Sequence, residues 1–134
     1  IMKDTFDPES KKALIDYRIE RAYETLKEAK YNYDGGFYYA AINRMYYACF
    51  YAVIALLLKY DISTQTHQGA RAMLGLHFVS KGVLSKENGK TFHDLFEKRH
   101  SGDYDDFVFC DQEMVDELYP RAVKFVDDVK NLLR

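Results

Sequence analysis

A chain of 134 residues with 48% hydrophobic and 30% charged side chains is long enough for one hydrophobic core and too apolar for a disordered segment. Its net charge of −2 gives no bulk attraction to nucleic acid, so any such contact has to be built locally. With only Cys49 and Cys110 present, a disulfide scaffold is excluded, and both thiols read as free in a reducing compartment. Ile1 ahead of Met2 reads as an appended residue outside the fold. No basic-then-apolar signal segment follows it. The longest apolar run, Met45 to Leu58, falls short of the ~20 residues a membrane span needs. The expectation is a single cytoplasmic domain over residues 1–134, with no membrane partner.

Asp7-Pro8-Glu9 is a helix start: an N-cap acid, proline at the first helical position, and an acid in the first turn. Ile15, Ile19, Ala22, Leu26, Ala29 and Tyr33 then keep a four-three rhythm, the signature of an amphipathic helix with one buried face. Asp34-Gly35-Gly36 ends it. A second helix, Tyr38 to Tyr60, follows at once, so the two form an antiparallel hairpin. Ile42, Met45, Cys49, Ala52 and Leu56 mark one apolar face of this helix, and Phe50, Val53 and Leu57 cover the next. A helix so apolar around its circumference belongs inside a bundle. Yet it carries Asn43, Arg44 and six tyrosines (Tyr38, Tyr39, Tyr46, Tyr47, Tyr51, Tyr60). An unpaired buried guanidinium costs several kcal/mol, so Arg44 requires an acid, an interface or a ligand.

Asp61 to Gln65 reads as a loop. Thr66 caps a third helix reaching about Lys81, with Ala70, Met73, Leu74 and Phe78 inward. Gly69 and Gly75 within it point to close packing or a weakened helix. Gly82 stops it. Ser85 and Glu87 begin a short fourth helix with Phe92, Leu95 and Phe96 on its apolar face, broken at Ser101-Gly102-Asp103. Tyr104 to Cys110 reads as irregular. Asp111 caps a last helix with Val115, Leu118, Ala122, Phe125, Val129 and Leu132 in register, and Pro120 inside it is expected to kink or split it. No period-two strand pattern and no repeat occurs. The fold read from this is all-α, an antiparallel up-and-down bundle of four to five helices.

Three stretches hold residues with chemical potential. His93, Glu97 and His100 share a helical face but complete no zinc pattern, so no metal is expected, and no motif calls for a cofactor. Cys49 lies on a core stripe. Cys110 sits among Asp105, Asp106 and Asp111, whose charge raises a thiol pKa, so neither cysteine reads as a nucleophile. The run Lys98-Arg99-His100-Ser101-Gly102-Asp103-Tyr104-Asp105-Asp106 combines a phosphate-binding cation, groups that can transfer a proton and a phenol. Its ordinary alternative, which the local sequence favours, is a basic helix end followed by a turn aspartate. Thr66-His67-Gln68-Gly69 is either a capped polar first turn or part of an anion site.

Taken together, these stretches resemble a HEPN domain. The resemblance is carried by Gly36-Phe37-Tyr38-Tyr39-Ala40-Ala41, by Asn43-Arg44-Met45-Tyr46-Tyr47-Ala48-Cys49-Phe50, by Thr66-His67-Gln68-Gly69, and by Arg99 followed by Gly102-Asp103-Tyr104. It spans about residues 10–132. It implies an antiparallel helical bundle, usually a homodimer, with polar residues in a cleft near the two-fold axis. Many family members are metal-independent ribonucleases with an R-x4–6-H motif, in which arginine holds the scissile phosphate and histidine moves a proton during attack by the ribose 2′-hydroxyl. Arg99 matches that arginine, whereas the fifth residue beyond it is Tyr104. His100 follows directly, about 100° round the helix. The ending is closer to the branch with R-x-x-A/G-D-Y.

The reading that results is a domain binding a nucleotide or RNA phosphate through Arg44 and Arg99. Asn43, Tyr47, His67, Asp103 and Tyr104 are expected to line the same cleft. A homodimer working beside a minimal nucleotidyltransferase is the implied setting, with Tyr104 a candidate acceptor of a nucleotidyl group from that partner. The rival is a toxin–antitoxin ribonuclease using Arg99 with His100 or His67 as proton carrier. A third reading is structural, with Arg44 in an ion pair with Asp103 or another acid.

Overall fold

In the computed structural model, the described residues are 7–104 and 109–134, without the side chains of residues 100–104. Among them the chain forms five α-helices and no strand: α1 (Pro8–Asp34), α2 (Tyr38–Lys59), α3 (His67–Leu74), α4 (Lys86–Tyr104) and α5 (Gln112–Leu132). The all-α expectation holds.

Helix α1 starts where its sequence dictates. The Asp7 carboxylate accepts from the Ser10 amide at 2.7 Å, ahead of Pro8, which satisfies one of the free N–H groups of the first turn. At its other end Gly36 takes φ +82°, the left-handed conformation that lets α2 fold back along α1. The α1–α2 hairpin is the most extensive contact in the fold, and α2 also meets α3, α4 and α5. Ala41, Ile42, Met45, Tyr46, Ala48, Cys49, Ala52, Val53, Ala55, Leu56 and Leu57 are all buried. By length and composition α2 would also suit a membrane span, but 61% of its apolar window is buried within the bundle. It is the core helix.

Two boundaries differ from the sequence reading. The third helix keeps α-geometry only to Leu74, and Gly75–Val79 follow as one π-helical turn before Gly82 (φ +74°) stops the element. The wider turn keeps Phe78 buried and brings it edge-on to Tyr60, with centroids 5.2 Å apart. Helix α4 is not short. It runs through Ser101-Gly102-Asp103 to Tyr104, because one glycine costs a helix only ~1 kcal/mol and its packed face outweighs that. Helix α5 continues through Pro120 unsplit. Burial of Val115, Leu118, Ala122, Phe125, Val126 and Val129 on one side outweighs the single missing amide.

Helices α4 and α5 are clamped by charge as well as by apolar contact. Arg121 donates to Asp94 at 2.7 Å, to Glu117 at 2.9 Å and to the buried Thr91 hydroxyl at 3.2 Å. Burial pushes the Asp94 carboxyl up, but hydrogen bonds from Arg121 and Lys90 and their charges outweigh it, holding the group below its ordinary value. A second tie joins Asn88 to Asp128 at 2.8 Å.

Candidate phosphate-binding cleft

Tyr47, on α2, is the meeting point of the expected site residues. The ring is half-buried, and its hydroxyl accepts from Arg99 Nη2 on α4 at 2.7 Å. The Arg99 guanidinium carbon lies 5.2 Å from the Tyr47 ring centroid and 5.8 Å from that of Tyr46. The Arg44 guanidinium carbon lies 5.1 Å from the same Tyr47 centroid. Two cations from different helices therefore share one aromatic ring, an arrangement in which the ring's negative face offsets part of their repulsion. Neighbouring groups hold Arg44 in place: Nη2 donates to Asn43 Oδ1 at 3.0 Å, and Nη1 is 3.4 Å from Glu28 Oε1 on α1. The acid expected for Arg44 is thus Glu28. With 30% of the Arg44 side chain and 47% of the Glu28 side chain exposed, that pair is solvent-screened and contributes little to stability.

His67 opens α3, where Thr66 Oγ1 accepts from the Gly69 amide at 2.8 Å. Gly69 is needed there: a Cβ at this position would stand 2.9 Å from Thr66 Oγ1. The cap aims the imidazole back at α2. His67 Nδ1 is 2.8 Å from the Tyr46 hydroxyl, and its ring stacks on Phe50 with centroids 4.2 Å apart and planes at 24°. It also meets Tyr47 edge-on at 5.8 Å. Burial pushes the Tyr46 phenol far above its ordinary value despite the nearby Arg99 charge, so this hydroxyl keeps its proton.

Asn43, Arg44, Tyr47, His67 and Arg99 thus converge, from α2, α3 and α4. The side chains of His100, Asp103 and Tyr104 lie outside the described residues. His93 and Glu97 both turn to Arg71, at 3.5 Å and 3.6 Å; the Arg71 guanidinium carbon is 4.5 Å from the Phe96 ring centroid. No group of three acidic, histidine or cysteine ligands gathers among the described residues. Cys49 is fully buried, and burial drives its thiol far up; burial also raises Cys110, outweighing the opposing charge of Lys98.

Sequence reasoning missed Tyr46 as the link between His67 and Arg99. The available signal was a tyrosine on the apolar stripe, whose buried hydroxyl requires a partner. It also missed Arg18 and Arg21 on α1. The Arg21 guanidinium stands 5.3 Å from the Tyr51 ring, and Arg18 Nη1 donates to the Ile54 carbonyl at 3.1 Å. A row of arginines therefore runs beside α2, at Tyr47, Tyr51 and Ile54. Such cross-helix neighbours carry no mark in the local sequence.

Two of the surface grooves bear on where a ligand could sit. One, of about 390 Å³, lies between α1, α2 and the loop before α3, and shares His67 with the cleft. The other, of about 480 Å³, lies between α4 and α5. Though larger, it is walled by the mutually paired Asp94, Glu117 and Arg121, whose charges are already committed to the clamp.

A helical bundle whose central helix presents tyrosine rings to arginines from three helices, with a histidine at the start of the next helix, defines an all-α domain with a cationic aromatic cleft. The HEPN domain family model matches residues 15–132, and the chain belongs to that family. It is 37% identical over 123 residues to a UPF0332 protein of Thermotoga maritima, covering 92% of this chain and 93% of that protein. It is 33% identical over 120 residues to "Putative toxin MJ0605" of Methanocaldococcus jannaschii, covering 90% and 89%. The crystal structure of ST0689, an archaeal HEPN homologue, shares the fold, with a TM-score of 0.73 at 19% identity over 90% of this chain and 98% of that one.

Proposed function

We propose that the cleft around Tyr47 binds the phosphate of a nucleotide or of RNA. The observation that carries this reading is the convergence of Arg44 and Arg99 within 5.1 Å and 5.2 Å of one ring. Two positive groups held together on one ring form an arrangement that a bridging anion stabilises. Arginine forks suit phosphate oxygens in particular, through paired N–H donors. In this reading Asn43 and Tyr47 orient the two forks. The domain then works as a homodimer beside a minimal nucleotidyltransferase. A thermal-shift titration with ATP, AMP and a short RNA tests the site. Saturable stabilisation of the wild type that is lost in Arg99→Ala supports it; no shift with any ligand refutes it.

The second reading, a toxin-like ribonuclease, is favoured by the placement of His67. Its ring lies against Tyr46 and Tyr47, the two tyrosines that Arg99 also approaches. Proteins 33% and 29% identical to this chain carry "toxin" in their names. Arg99 would hold the scissile phosphate and His67 would move the proton. Overexpression then arrests growth, and Arg99→Ala and His67→Ala each relieve the arrest. Growth unaffected by the wild type counts against it.

A further inference from the structure

The groove of about 390 Å³ beside the cleft has a mixed apolar, aromatic and polar lining. Ile54, Leu57 and Leu58 form an apolar floor, while Phe50 and His67 supply aromatic surface at the end nearest Tyr47. On the rim, Ser63, Thr64 and Gln65 add hydroxyl and amide groups. Arg18 faces the same space. Its guanidinium is half-buried, donates to the Ile54 carbonyl at 3.1 Å, and has no carboxylate partner among the described residues. Burial alone lowers its pKa, yet arginine keeps its charge at any physiological pH. A cation with spare donors beside an apolar floor and aromatic rings calls for a flat ligand with an acceptor-rich edge.

We infer that this groove holds the base of the nucleotide whose phosphate sits on Arg44 and Arg99, with guanine preferred because Arg18 can only donate. The inference rests on the phosphate reading of the Tyr47 cleft. His67 is the hinge of the argument: it borders the groove, stacks on Phe50 and stands edge-on to Tyr47. The groove and the Tyr47 cleft therefore share His67 as a common wall. Bases stack on aromatic side chains without regard to identity. Identity is read by donors and acceptors at the edge, and an arginine fork matches O6 and N7 of guanine, whereas adenine places a donor at one of those positions. The rim amide and hydroxyls serve the remaining edge.

Binding of ribose 5-phosphate, AMP and GMP to the whole chain, measured by calorimetry, separates the two sites. The expected order is GMP tightest, with roughly a tenfold advantage over AMP, and ribose 5-phosphate weakest. Arg18→Met should erase the GMP advantage, and Leu58→Trp, which fills the floor, should bring GMP down to ribose 5-phosphate. Neither variant should change ribose 5-phosphate affinity, and that unchanged value also shows that each variant is folded. Equal affinity for all three ligands, or GMP binding indifferent to both variants, overturns the base groove and leaves the phosphate site standing. Ribose 5-phosphate indifferent to Arg99→Ala instead overturns the phosphate reading. A G-containing trinucleotide binding tighter than GMP supports the groove and assigns it to an RNA strand; affinity equal to GMP supports it and assigns a free nucleotide.

Discussion

Tyr47 makes separable contacts through its ring and its hydroxyl, so two substitutions distinguish them. Tyr47→Phe keeps the ring against Arg44 and Arg99 but removes the hydroxyl that accepts from Arg99 at 2.7 Å. A hydrogen bond to a charged group contributes ~1.5–3 kcal/mol net, and because both residues are only half-buried the lower end applies, about 1.5 kcal/mol. Tyr47→Leu removes the ring as well. Two cation–π contacts at partly exposed sites add ~0.5–1 kcal/mol each, so the leucine variant should be less stable than the phenylalanine variant by a further ~1–2 kcal/mol. Urea denaturation read by circular dichroism measures both, with the slope against denaturant expected to stay constant. If the two variants are equally stable, the ring contacts contribute nothing and the cation-sharing geometry is wrong. If Tyr47→Phe matches wild type, the Arg99 hydrogen bond is not formed in solution.

Other consequences follow from the remaining contacts. Tyr46→Phe preserves the aromatic cluster and removes the hydroxyl next to His67 Nδ1; it should cost ~1 kcal/mol, and in the ribonuclease reading it should reduce turnover more than substrate affinity. A titration of stability against pH should show the Asp94 contribution intact above the ordinary unfolded carboxylate value of ~3.9 and lost as pH falls through the lower folded value. That slope should be shallower in Asp94→Asn, and an unchanged slope would deny the clamp. Cys49, fully buried with a raised thiol pKa, should react with iodoacetamide only at the rate of unfolding, and rapid labelling of the native protein would show that the α2 core opens.

Much of the architecture was legible because helix signals are local. Asp7, Thr66 and Asp111 each cap the helix their position foretold, and the apolar stripes of α1, α2 and α5 are buried in the core or packed against it. Boundaries governed by packing were harder to read. The π turn at Gly75–Val79 and the continuation of α4 through Gly102 depend on which side chains the neighbouring helices offer, which no window of sequence reveals. The site followed the same division. Arg44 stood out as a charge on an apolar helix, and Arg99 and His67 through family resemblance. The groups that organise them did not: Glu28, Tyr46 and Phe50 serve the cleft through contacts between helices, and Arg18 reached the adjoining groove by the same route.

The most direct test of a shared phosphate site is a double-mutant cycle on ligand affinity, using Arg44→Ala, Arg99→Ala and the pair, with AMP titrated into each and folding checked by circular dichroism. Two arginines gripping one phosphate should each weaken binding at least tenfold when removed, and the double variant should lose less than the product of the two single losses, since each fork orients the anion for the other. Singles that leave AMP affinity unchanged, or losses that multiply independently, would contradict a single site centred on Tyr47.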